Sequence, residues 1–148
     1  MVVAGFDGSP GSEAALRVAF REAQLRRARL LVVGAWHVPT YYYGSVAAPS
    51  ARAALGEDVR RELTTKMQEA VAALREEAGD VEIETRLAEG GAARVLTEEA
   101  ADADLLVVGS RGFGGLRELL LGSVSHECAQ RASCPVLIVP AQAVPATV

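Results

Sequence analysis

The chain has 148 residues, a mass of 15.5 kDa and a formal net charge of −4 from 15 basic and 19 acidic side chains. That length suits one domain able to bury a core without a metal or disulfide staple. The acidic balance excludes a general nucleic-acid footprint, and no apolar run approaches the roughly 20 residues of a membrane-spanning helix. Cys128 and Cys134 are the only cysteines, which argues against a secreted disulfide scaffold. Met1 to Asp7 lacks a basic n-region and meets an acid too early for a signal peptide, so a cytoplasmic location with no membrane partner is expected. Aromatic residues are only 5% of the chain, so the core has to be built from Ala, Val and Leu.

Val2 to Phe6 is a short apolar run predicted to be a buried strand, ended by the turn signal Asp7-Gly8-Ser9-Pro10-Gly11. A helix fits Ser12 to Arg27, where Leu16, Ala19, Phe20 and Ala23 recur on one face. Leu30 to Trp36 is apolar without alternation, the pattern of a strand covered on both faces. His37 to Pro49 has no period and is expected to be a loop. Ala51 to Ala78 reads as a long helix carrying Val59, Leu63, Met67, Ala70, Val71 and Leu74, closed by Gly79 in a left-handed cap. From Val81 to Leu87 apolar and polar residues alternate, as in a half-exposed edge strand. A short helix from Ala92 to Ala101, a buried strand from Leu105 to Val108, a helix from Ser123 to Arg131 and a last strand from Pro135 to Val139 complete the chain. Residues 141 to 148 are expected to be a frayed tail after a domain spanning 1 to 140. Strands alternating with helices imply an α/β domain with a parallel sheet and helices on both faces. Such sheets bind ligands beyond the carboxyl ends of their strands, where the strand order reverses.

Two strand ends stand out. One is Asp7-Gly8-Ser9. The other is Gly109-Ser-Arg111-Gly112, extended through Arg117 to Gly122-Ser123. Glycines let a backbone approach a ligand and adopt positive φ. Ser123 opens a helix whose free N–H groups and dipole suit an anion. The plainer alternative is a strand-to-helix connection with Ser123 as a helix N-cap. As a unit, Gly109-x2-Gly112-x9-Gly122-Ser123 points to phosphate binding.

The stretch from Asp104 to Pro140, with Leu-Leu-Val-Val-Gly-Ser-Arg-Gly, Gly-Ser-Val-Ser and Cys-Pro-Val-Leu-Ile-Val, resembles the universal stress protein family, as does the start Val-Ala-Gly-Phe-Asp7-Gly-Ser. The Gly-x2-Gly-x9-Gly-Ser/Thr spacing is similar to that of the family's ATP-binding branch. The resemblance implies a Rossmann-like five-stranded sheet of order 3-2-1-4-5, an ATP ligand and a divalent ion, Mg²⁺ or Mn²⁺. It would set Asp7, with Gly8 and Ser9, beside the ribose, the phosphates and the metal. Ala35 and Val108 would meet the base. Gly109, Arg111 and Gly112 would wrap the ribose and phosphates, and Gly122, Ser123 and Val124 would hold the phosphate tail. Gly34 stands where the family often has His, and Ala35 where Val is common.

The expected function is a nucleotide-binding stress sensor or regulator, with an unidentified regulatory protein as reader. The alternatives are a slow ATPase or a self-phosphorylating protein, with Ser123 or Ser125 as acceptor, or a dimeric scaffold with a vestigial pocket. A homodimer through the last strand is expected, because an apolar strand at a sheet edge needs a partner. Neither His37 nor His126 has a second metal-ligating residue at suitable spacing. Cys128 reads as a small buried hydrophobe, Tyr41 to Tyr43 as a loop, and the charged run from Glu57 to Glu62 as a solvated helix face. A Gly-Lys-Ser/Thr P-loop and the acidic pair of a receiver domain are both absent.

Overall fold

A computed structural model describes residues 1–38, 49–77, 79–112 and 121–142. The elements run β1 (Val2–Gly5), α1 (Pro10–Arg26), β2 (Leu30–Trp36), α2 (Pro49–Glu77), β3 (Ile83–Glu89), α3 (Ala92–Glu99), β4 (Leu105–Gly109), α4 (Ser123–Arg131) and β5 (Val136–Val139). Among the described residues the four strand pairings are parallel and the sheet order is β3-β2-β1-β4-β5. The order reverses between β1 and β4, where Val2 stands opposite Leu105 and Ala4 opposite Val107. The two strands therefore end level, and their following segments leave side by side.

Side chains alternate across the sheet and build two apolar layers. Val2, Ala4, Phe6, Leu30, Val32, Ile83, Leu105, Val107 and Val139 pack with residues of α1 and α2. Val3, Leu31, Val33, Leu106 and Val108 pack with Ala93, Val95, Leu96 and Ala100 around α3 and with Cys128 of α4. Helices thus cover both faces. Small side chains keep them close to the sheet: a Cβ on Gly5 would stand 2.9 Å from Leu96 of α3, and one on Gly34 would stand 2.7 Å from Leu87 and 3.2 Å from Leu63 of α2. The space a histidine would take at position 34 is filled by these two leucines.

Most element boundaries agree with the sequence reading within two residues. The first helix starts earlier than expected, at Pro10, because Ser9 is its N-cap: the Ser9 hydroxyl accepts from the Ser12 N–H at 3.2 Å. Proline fits the first helical turn, where its missing N–H costs nothing. The turn signal at 7–11 is therefore also a helix start. Gly79 has the left-handed φ of +55° expected after α2. The face of α2 from Glu57 to Lys66 is exposed and carries the pairs Glu57–Arg60, Asp58–Arg61 and Glu62–Lys66. Cys128 is fully buried. The Tyr41 to Tyr43 loop, Arg117 and the end of the tail lie outside the described residues.

Candidate functional site

Asp7 follows β1 and is exposed. Its Oδ1 accepts the Ser9 N–H at 2.9 Å, and its own N–H donates to the Ser12 Oγ at 3.3 Å. The Ser12 hydroxyl in turn donates to the Ser9 carbonyl at 2.9 Å, while Ser9 and Ser12 are both buried. These bonds hold the turn against α1 and leave Asp7 Oδ2 pointing at the second strand end: a Cβ placed on Gly112 would stand 2.6 Å from it. Gly8 takes φ +80°, a conformation that glycine adopts without strain. The stem of Lys66 from α2 lies over it, with Cδ 2.8 Å from where a Cβ would be.

The β4 end is pressed onto the start of α1. A Cβ on Gly109 would meet the Gly11 carbonyl group at 2.7 Å, and one on Gly11 would meet the Arg111 carbonyl oxygen at 2.4 Å. Past Gly112 the chain re-enters the described residues at Leu121. The Gly122 N–H donates to the Ser110 carbonyl at 2.7 Å. A Cβ on Gly122 would stand 3.2 Å from that oxygen and 3.3 Å from Arg111 Cα. The N-cap of α4 is Gly122, not Ser123, and no side chain caps the helix. Ser123 is its exposed first residue, followed by half-buried Val124. The leading N–H groups of α4 have no intrahelical acceptor, so this end of the helix suits an anion.

Gly109, Gly112 and Gly122 do not need the positive φ expected of them. Among the described residues Gly8, Gly79 and Gly90 are the glycines with positive φ, and Gly122 has φ −63°. The three are needed for close approach of backbone to backbone, or of backbone to the Asp7 carboxylate. Ala35 sits near the end of β2, half-buried and paired in register with Ala88. Val108 is buried one residue before the end of β4. Among the described residues no three His, Cys, Asp or Glu side chains converge as a metal cage.

The sequence profile of the universal stress protein family matches residues 1–140. The chain belongs to that family. A universal stress protein of Mycolicibacterium smegmatis is 38% identical across 93% of this chain and 45% of its own length. The chain thus spans less than half the length of that relative and of the mycobacterial ones that match similarly. Universal stress protein YxiE of Bacillus subtilis is 37% identical across 94% of this chain and 97% of its own length. The crystal structure of a universal stress protein in complex with cAMP superposes with a TM-score of 0.58 at 29% identity, covering 93% of this chain and 94% of that one.

Within this universal stress protein, sequence reasoning missed three residues that shape the site. Gly11 was part of a turn signal, yet it is the point where α1 touches the Arg111 carbonyl. Ser110 is one residue within the Gly-rich stretch, yet its carbonyl accepts the Gly122 N–H. Ser125 reads from the sequence as a candidate phosphate acceptor, yet it is 1% exposed and its hydroxyl donates inward to Ser110. The Gly-Ser-Val-Ser run singles out Ser125 but does not tell an inward hydroxyl from an outward one.

Proposed function

We propose that this chain binds an adenine nucleotide, ATP with Mg²⁺ or Mn²⁺, beyond the carboxyl ends of β1 and β4. The carrying observation is the convergence of Asp7 Oδ2 on Gly112 beside the start of α4, which no side chain caps. A carboxylate that would face the metal follows β1, and the N–H groups that would face the phosphates open α4. The cAMP complex of a related universal stress protein supports a nucleotide as the ligand class. Asp7 fits Mg²⁺, which is usually held by one or two carboxylates together with phosphates and waters. When bound, the ion would neutralise phosphate charge. Gly109, Arg111 and Gly112 would follow the ribose and phosphates, with Gly8 and Ser9 across from them. Ala35 and Val108 would line the base, and Gly122, Ser123 and Val124 the phosphate tail.

The role we infer is that of a stress-linked sensor. Ligand ties the two strand ends together, and a protein partner or second subunit reads that state. The second subunit would pair through β5, whose Val136, Leu137 and Ile138 are only half-buried at the sheet edge. Nucleotide at 100 times its dissociation constant would add about 2.7 kcal/mol to stability. Calorimetric titration with ATP, with and without Mg²⁺, and with Asp7→Ala, tests the reading. Binding strengthened by the metal in the parent but not in the variant is expected. Equal affinity with and without metal removes Asp7 from the role, and no binding of ATP, AMP or cAMP overturns the proposal.

A further inference from the structure

The described ends of the connection between β4 and α4 are joined by a backbone bond, from the Gly122 N–H to the Ser110 carbonyl, and by one buried hydroxyl. Ser125, the third residue of α4, is 1% exposed. Its Oγ lies 3.0 Å from the Ser110 carbonyl and 2.9 Å from the Gly122 carbonyl, so both oxygens are acceptors within reach of its one proton. The Ser110 carbonyl also accepts the Gly122 N–H, and the Ser110 N–H donates to the Val139 carbonyl at 2.7 Å. The segment leaving β4, the segment entering α4 and the last residue of β5 therefore meet at Ser110. Gly122 brings no capping side chain to α4. The direction in which the first N–H groups of the helix point is thus set by the backbone at Gly122, whose N–H is held by the Ser110 carbonyl and whose carbonyl lies within reach of the Ser125 hydroxyl.

We propose that Ser125 is a positioning residue: its hydroxyl clasps Ser110 to Gly122 and so aims the start of α4 at the phosphates of the ligand. The inference rests on the nucleotide reading above and adds that phosphate recognition, not base recognition, depends on this side chain. Ala35 and Val108 lie on the strands and touch none of these bonds. A buried hydroxyl that donates inward is closed to phosphoryl transfer, so Ser125 is a strut of the site and not its acceptor.

The test is calorimetric titration of the parent and of Ser125→Ala with adenosine, AMP and ATP. Loss of a buried hydrogen bond is expected to weaken AMP and ATP about tenfold and to leave adenosine within about twofold. Equal losses for adenosine and ATP, or no loss for either, overturn the proposal. If Ser125→Ala does not fold, Ser125→Cys replaces it, keeping a side chain of similar shape with a weaker donor, and the same split is expected. Hydrogen exchange at the Gly122 amide, read by NMR, needs no ligand. It is expected to quicken about tenfold in the variant while Leu106 and Val107 exchange as before, and an unchanged Gly122 rate refutes the clasp. A parent that binds none of the three ligands overturns the nucleotide reading, and the exchange rate then judges the clasp alone.

Discussion

Gly11→Ala tests the packing that brings the two strand ends together. A Cβ at this position would stand 2.4 Å from the Arg111 carbonyl oxygen. Restoring even a 3.0 Å separation needs a relative movement of about 0.6 Å, and forced overpacking of this kind costs about 1–3 kcal/mol. The movement cannot be taken up by a swinging side chain, because the obstructing atom is backbone. It cannot easily be taken up by α1 either, whose Ala15, Leu16, Ala19 and Phe20 are seated in the core. The Arg111 backbone must therefore shift away from Gly11. Alanine also raises helix propensity in α1 by up to about 1 kcal/mol, which opposes the loss. The net expectation is about 1–2 kcal/mol, seen as a fall of about 2–8 °C in melting temperature. Thermal denaturation followed by circular dichroism measures it, with Gly109→Ala and Gly122→Ala alongside. The order of damage should follow the contacts of 2.4, 2.7 and 3.2 Å, with Gly11 worst and Gly122 mildest. A Gly11→Ala variant as stable as the parent, or a Gly122→Ala variant that is the least stable of the three, would refute the reasoning.

Ser9→Ala removes the N-cap of α1, leaving the Ser12 N–H without its side-chain acceptor, and should cost about 1 kcal/mol in a urea unfolding experiment. A change within experimental error would mean that the backbone bonds of the turn suffice. The Cys128 thiol is pushed up to about 11, first by burial and then by the nearby Glu127. In the unfolded chain it ionises near the ordinary value of about 8.5. The folded state therefore keeps a proton that the unfolded state loses. The stabilising contribution is complete below the unfolded value and is lost as pH rises toward 11. Maleimide labelling of Cys128 at pH 8 should be slow in the native protein and fast in denaturant, and rapid native labelling would show that the thiol is accessible.

The alternation of apolar segments with turn signals is enough to determine the nine elements found among the described residues and a parallel α/β sheet. Leu30 to Trp36 and Leu105 to Val108 are apolar throughout because each is covered on both faces, and that pattern is visible residue by residue. The glycine spacing from Gly109 to Gly122 was also legible, since close backbone approach tolerates no side chain and leaves its mark in composition. The strand order was expected through family resemblance, and the tertiary structure bears it out. Pairing depends on which hydrophobic faces match at long range, and no local window carries that information. The juxtaposition of Asp7 with Gly112, about one hundred residues apart, exists only because β1 and β4 are neighbours and end level. The inward turn of Ser125 is likewise a tertiary decision. Its hydroxyl faces Ser110 because α4 packs against the second face of the sheet through Cys128, while Ser123, two residues earlier and identical in chemistry, is left in solvent. Local sequence sets which groups are available, and the packing of helices on the sheet sets which of them point into the site.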